Sequence, residues 1–315
     1  MSRRSSPLSK PRAVRKGSKL SIVSPSSPAE PAAISAGIAE LRRLGFLVEE
    51  PTPNSPQGYF AGAHPERMRQ FRKAFTEKSV GGVVATRGGY GGNYLIDLNL
   101  TTSITGPKCL IGFSDLNIIQ LLLLESRGWA GFYGPMVAAG FNHGAGQPSG
   151  YDEFSFLRAI GETKSGWEIP LQGENMRTGN ATGRIVGGCL TLLQTTLGTG
   201  FEPDTDGAIL VLEDRGMKPY QVDRALRHLQ QAGKFKKVSG ILLGDFPDCE
   251  PPAPGGPTIR EICDEILQPL KVPVVYCAPI GHTKRPMLTL PLGVRAKLQS
   301  KGEGTLEILE PAVVD

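Results

Sequence analysis

Histidine is scarce in this chain: His64, His143, His228 and His282 are the only four in 315 residues. Any chemistry that needs an imidazole base has just these to draw on. Cysteine is nearly as sparse. Cys109, Cys189, Cys249, Cys263 and Cys277 are odd in number and show no C-x-x-C spacing, which argues against a disulfide framework and a zinc knuckle. No stretch reaches the roughly 20 apolar residues needed to cross a bilayer. The opening "MSRRSSPLSKPRAVRKGSK" contains no acid and lacks the apolar segment that follows the basic start of a signal peptide. It reads as a flexible basic leader over 1–19, with the cytoplasm as the expected compartment. Its seven basic residues carry much of the net charge of +5, and the remainder is close to neutral. That composition gives no case for nucleic acid as the main partner, nor for a membrane.

What is abundant is turn-forming residues and short apolar runs: 40 Gly and 26 Pro accompany an apolar content of 39%. From Leu20 the chain alternates the two. "KLSIV", "VGGVVAT" and "CLIGF" read as strands, while "PAAISAGIAELRRLGF", "HPERMRQFRKAFTEKS" and "LNIIQLLLLESRG" carry apolar residues at helical spacing. This βαβα order predicts an α/β fold with a parallel sheet over 20–141, its function gathered at the carboxyl ends of the strands. Over 142–180 the chain is rich in turn formers and reads as a linker. A second unit, 181–315, has six strand-like runs interrupted by "PYQVDRALRHLQQAG" and "TIREICDEILQPL", predicting a smaller, β-rich carboxyl-terminal domain.

Ser114 lies where the strand "CLIGF" turns into the helix "LNIIQLLLL". A serine there is either an ordinary helix cap or a nucleophile raised above the sheet edge, although "GFSDL" lacks the second glycine of G-x-S-x-G. A nucleophile needs a base. His64 precedes Pro65 and reads as a helix cap, His143 falls in the linker, and His228 reads as solvated on a helix. His282, delivered by the buried strand "VPVVYCAPIGH", is the favoured candidate. The carboxylate to orient it would come from "AILVLED", where spacing leaves Glu213 and Asp214 equivalent. "RGGYGG", 87–92, follows a strand at the same sheet edge and offers backbone N–H groups to a developing oxyanion. It fails G-x-G-x-x-G at the last position and lacks the lysine of a phosphate loop, so no nucleotide cofactor is expected. No metal-ligand cluster is visible, and no metal is expected.

Together "VSPSSP", "ATRGGYGG", "IGFSDLNIIQLLL", "FYGPM", "GRIVGGCLTLLQTTLGT", "LVLED", "PYQVDRALRHL", "SGILLGDF" and "APIGH" resemble the LD-carboxypeptidase family of serine peptidases. The resemblance runs from about Leu20 to the final strands. It implies an amino-terminal α/β domain carrying the nucleophile Ser114, and a second domain supplying Glu213 as acid and His282 as base. It further implies oxyanion donors at the backbone N–H groups of Gly89 and Asp115. The implied substrate is a cytoplasmic murein tetrapeptide losing its terminal D-alanine; the implied assembly is a homodimer. A divergent branch, the microcin C self-immunity peptidases, cuts an amide-linked peptidyl nucleotide instead. The modest chain length, with little room for long inserted loops, favours the murein branch. A peptide binder without catalysis is the remaining alternative. Arg87, Tyr90, Lys284 and Arg285 are candidates to hold the substrate, its terminal carboxylate in particular. Two residues depart from the family pattern: Cys189, where Asn is expected, and Cys277, where Gly is more usual.

Overall fold

The computed structural model describes residues 7–51, 55–253 and 255–315. The strands in chain order are β1 (Lys19–Val23), β2 (Leu47–Glu49), β3 (Val80–Ala85), β4 (Cys109–Gly112) and β5 (Gly131–Tyr133). These are followed by β6 (Trp167–Pro170), β7 (Glu174–Arg177), β8 (Gly179–Cys189), β9 (Ile209–Glu213), β10 (Gly240–Gly244) and β11 (Val274–Ala278). The last three are β12 (Leu290–Leu292), β13 (Arg295–Ser300) and β14 (Thr305–Ile308). They form two sheets, one of six strands in the order β12-β5-β4-β3-β1-β2 and one of eight in the order β6-β14-β13-β8-β9-β10-β11-β7. The first sheet is parallel from β2 to β5, with β12 antiparallel at its edge. The mixed α/β architecture, with a parallel first sheet and a second sheet beside it, is the one the sequence pattern predicts.

The parallel strands are nearly continuous apolar runs because both their faces are buried. All four residues of β4 are buried, as are all five of β9 and of β10. The helix Asn117–Arg127 explains the long "LNIIQLLLL" run: its first eight residues, Asn117 to Leu124, are all buried. Ile118, Ile119, Leu122, Leu123 and Leu124 pack into the core of the first sheet. Leu121 joins a second core with Leu190, Leu193 and Leu210. A helix buried nearly all round needs apolar residues nearly all round, and this one is held between the two sheets. Asn117 reinforces the seam, donating to the Gly187 carbonyl at 3.2 Å and accepting from the Cys189 N–H at 3.1 Å.

The structure departs from the sequence reading in four places. The carboxyl-terminal unit carries the larger sheet. Its centre, β8 to β11, is parallel, and the helices Pro219–Gln231 and Ile259–Leu267 pack against it through Val222, Leu226 and Ile262. The stretch read as a linker holds a helix, Glu153–Gly161, and strands β6 and β7; β6 buries only Trp167 and Ile169, too weak an alternation to stand out. "MLTLPLGVRAKL" is two strands in different sheets, β12 and β13, turned at Gly293 (φ +92°). Of the supposed leader, residues 1–6 lie outside the described residues, but the rest is tied down. The Ser9 N–H donates to the Gly128 carbonyl at 2.6 Å, Ala13 to Val314 at 2.7 Å and Val14 to Ile160 at 2.8 Å. Val14, only 1% exposed, belongs to the core. Among the described residues no helix is long and apolar enough to cross a membrane.

Candidate active site

Ser114 follows β4 at the carboxyl edge of the first sheet and opens a 3-10 turn, Ser114–Leu116, that leads into the Asn117–Arg127 helix. Its backbone is left-handed, φ +59°. A capping serine takes an extended backbone and bonds an N–H of the first turn. Here the position before the turn is Phe113 and the serine lies inside it, and among the described residues the Ser114 hydroxyl has no hydrogen-bond partner. A polar non-glycine residue at positive φ on a strand-to-helix turn is strained. Gly112 (φ +151°) makes the turn possible: a Cβ there would stand 2.6 Å from Leu116 Cδ2. The residue before the serine, Phe113, sets its ring edge-on to the His282 imidazole with centroids 5.0 Å apart.

Glu213 closes β9 with its side chain wholly buried, 0% exposed. Its Oε2 accepts from the His282 backbone N–H at 2.8 Å and pairs with His282 Nδ1 at 2.9 Å. Its Oε1 accepts from the Tyr133 hydroxyl across the seam between the sheets. The space for this carboxylate is kept by two glycines. A Cβ on Gly281 would lie 2.4 Å from Glu213 Cδ, and one on Gly244 would lie 2.5 Å from Glu213 Cβ. Burial pushes the Glu213 carboxyl upward, but the imidazole's charge and the His282 and Tyr133 hydrogen bonds outweigh it, leaving it below the usual carboxylate value. Burial pulls the His282 imidazole down; the Glu213 charge and bond reverse this and leave it above 6.5. A carboxylate on Nδ1 fixes the tautomer with its lone pair on Nε2, the form that takes a proton.

Asp214, indistinguishable from Glu213 by spacing, points elsewhere. Its carboxylate accepts from the Thr191 N–H at 2.8 Å and hydroxyl at 2.7 Å, capping the short helix Leu190–Thr195. Cys189 stands beside it, Sγ 3.6 Å from Asp214 Oδ2. Burial and the Asp214 and Glu213 charges push that thiol well above its ordinary value. It therefore stays protonated and is no rival nucleophile.

Ser114, His282 and the glycine turn line one cavity of about 780 Å³. Ser114 and His282 share this space without a hydrogen bond between them, an arrangement familiar in enzymes before substrate binds. Gly88 lies directly against the serine: a Cβ there would be 2.6 Å from both Ser114 Cβ and Oγ. The N–H groups of Gly89 and Asp115 have no acceptor among the described residues. Of the four substrate-binding candidates, Arg87 and Lys284 line the cavity; Tyr90 and Arg285 do not. Tyr90 turns outward to Phe60 and Tyr94. Arg285 is a structural tie, pairing with Asp245 and donating to the Gln172 carbonyl at 2.8 Å. The other histidines are also accounted for. His64 does not cap its helix but stacks on Tyr94, centroids 4.1 Å apart. His228 pairs with Gln194 at the surface, and His143 is an exposed residue on the cavity rim. Among the described residues no cluster of His, Cys, Asp and Glu is placed to hold a metal ion.

Sequence reasoning missed Tyr133, whose motif "FYGPM" was noted without a role, and the cavity pair Arg215–Asp248, joined at 3.0 Å with Lys284 also on Asp248 at 3.1 Å. It did single out Cys277, and the structure shows why a glycine would suit that position: Cys277 is left-handed, φ +58°. Because that conformation costs a residue with a Cβ about 1–2 kcal/mol, offset in part by glycine's extra freedom when unfolded, Cys277→Gly is expected to stabilise the fold by about 0.5–1 kcal/mol. A shift of the urea midpoint upward at unchanged slope is the check; a downward shift contradicts it.

An α/β fold with a strained serine, a buried Glu–His pair and a glycine turn around one cleft defines a hydrolase-like centre. The chain matches the LD-carboxypeptidase N-terminal domain over residues 20–134 and the LD-carboxypeptidase C-terminal domain over 182–298. It belongs to the LD-carboxypeptidase family, a family of peptidases. A putative carboxypeptidase of Synechocystis is 33% identical over 303 residues, 95% of this chain and 97% of that protein. The crystal structure of a muramoyltetrapeptide carboxypeptidase from Oxalobacter formigenes overlays with a TM-score of 0.80 at 30% identity, covering 93% of this chain and 99% of that one. The microcin C7 self-immunity protein MccF of Escherichia coli is 29% identical over 293 residues, 82% of this chain and 83% of that protein. A structure of MccF with aspartyl sulfamoyl adenosine shares the fold, TM-score 0.85 at 24% identity, over 97% of this chain and 99% of that one.

Proposed function

We propose that the protein is a serine-type LD-carboxypeptidase that removes the terminal D-alanine from an L-configured diamino acid in murein tetrapeptides. The observation that carries this reading is the buried Glu213–His282 pair at 2.9 Å, facing the same cavity as the strained Ser114. His282 Nε2 takes the Ser114 proton as Oγ bonds to the carbonyl carbon beside the terminal residue. The carbonyl oxygen becomes an oxyanion held by the N–H groups of Gly89 and Asp115, each donor contributing roughly 3 kcal/mol. The intermediate then collapses, the C–N bond breaks, and His282 passes its proton to the departing amine. Water, deprotonated by the same imidazole, releases the acyl group and regenerates the serine. Arg87 and Lys284 are the candidates to hold the terminal carboxylate, and Arg215 on the same wall is a third.

The likeness to a muramoyltetrapeptide carboxypeptidase supports the murein substrate, and our reading of the protein is as a cytoplasmic homodimer. The likeness to MccF supports a second reading, hydrolysis of an amide-linked peptidyl or aminoacyl nucleotide by the same three residues. Incubating the protein with a murein tetrapeptide and, separately, with an aminoacyl-sulfamoyl nucleotide separates the two by mass spectrometry. Loss of one alanine from the peptide is the expected result. Cleavage of the nucleotide alone favours the second reading, and turnover of neither favours a peptide binder.

A further inference from the structure

Asp115 stands next to the candidate nucleophile, yet its carboxylate does not enter the proposed reaction. It is 4% exposed and accepts three hydrogen bonds: from the Ser26 hydroxyl at 2.6 Å, from the Gly92 N–H at 2.7 Å and from the Gly91 N–H. Burying an ionised group is costly without such partners, and these have a common destination. Gly91 and Gly92 end the glycine turn that carries Gly89. The other face of the turn is held by Ser27, whose N–H donates to the Gly88 carbonyl at 3.3 Å and whose Oγ accepts from the Tyr90 N–H at 3.1 Å. Arg67, 1% exposed, closes the ring by donating to the Gly91 carbonyl at 3.0 Å. The turn also comes close to Asp115 itself, since a Cβ on Gly88 would stand 3.3 Å from the Asp115 nitrogen.

The two candidate oxyanion donors belong to different elements, the glycine turn after β3 and the turn after β4. Their separation must suit one oxygen atom, because a donor misplaced by about 1 Å can forfeit about 100-fold in rate. We propose that Asp115 is the positioning residue that fixes this separation: its backbone supplies one donor while its side chain clamps the segment bearing the other. The inference rests on the reading of Ser114 as nucleophile. It goes beyond that reading in giving the buried carboxylate a function in transition-state geometry.

A fluorophosphonate, which bonds covalently to an activated serine and places a phosphoryl oxygen where the oxyanion forms, tests this without any choice of peptide. Asp115→Ala removes all three contacts but keeps the backbone N–H. It is expected to slow the labelling of Ser114 by about 10- to 100-fold. The loss should appear in the maximal rate and not in half-saturation, with the acid limb of the pH profile unmoved because His282 and Glu213 are untouched. Asp115→Asn retains an acceptor oxygen and should recover most of the rate. Should Asp115→Ala fail to fold, Ser26→Ala deletes one of the three bonds and is expected to slow labelling about 3- to 10-fold. Wild-type labelling rates in these variants, or losses matched by the unfolded fraction in a thermal melt, overturn the positioning role alone. No labelling of Ser114 in the wild type overturns the nucleophile reading and this inference with it.

Discussion

Glu213→Gln lowers kcat/KM on a tetrapeptide substrate by about 10³- to 10⁴-fold while the protein stays folded. The amide fits the same buried space, but it can present an N–H to Nδ1 and so favour the wrong tautomer, and it no longer balances the imidazolium that forms in the transition state. The pH profile carries a second signature with a definite sign. His282 must be neutral to act as a base, so wild-type activity falls as pH drops through its folded pKa, which lies above 6.5. Without the Glu213 charge and hydrogen bond, burial dominates and pulls the imidazole down, so the acid limb of the variant moves to lower pH. The nearby Asp214 and Arg215 charges act in opposite directions. A variant that loses activity with an unmoved acid limb would contradict the coupling of these two residues.

Gly88→Ala is expected to cost at least about 100-fold in kcat. The new methyl carbon would arrive 2.6 Å from both Ser114 Cβ and Oγ, well inside contact distance, so either the serine or the glycine turn must shift. Both are candidate reacting groups, and small displacements of either are expensive. The fold should pay much less, about 1–3 kcal/mol for an overpacked contact, because the clash sits on the cavity wall and can relax into open space. Circular dichroism and a thermal melt beside the kinetics separate the two effects. Near-normal turnover in Gly88→Ala would mean that the turn and the serine are not jointly used.

Both predictions depend on contacts whose local parts were legible in the sequence and whose assembly was not. The strand–turn–helix around Ser114 was visible because four buried residues of β4 and eight of the following helix flank it. The glycine turn was visible because "RGGYGG" follows an apolar strand. Spacing could not choose between Glu213 and Asp214, which only the family resemblance separated, since consecutive residues at a strand end differ only in the direction they face. One meets Tyr133 and His282, the other caps a helix at Thr191. The Tyr133–Glu213 bond spans 80 positions and two sheets, so nothing local signals it. Likewise "MLTLPLGVRAKL" reads as one strand because its apolar pattern is similar on both sides of Gly293, and only packing assigns the halves to different sheets. The stretch 7–18 looked like a free tail for its charge. Its order comes from backbone hydrogen bonds to Gly128, Ile160 and Val314, which composition does not encode. Arg285 looked like a free cation after His282, but Asp245 and two carbonyls claim it.

The central claim is that one hydroxyl, on Ser114, does the bond-making. The most direct test is Ser114→Ala assayed with a murein tetrapeptide beside the wild type, with the product read by mass. The account predicts release of one alanine by the wild type and none above background by the variant, with both proteins melting at similar temperatures. Release of alanine by Ser114→Ala at a rate near that of the wild type would contradict it.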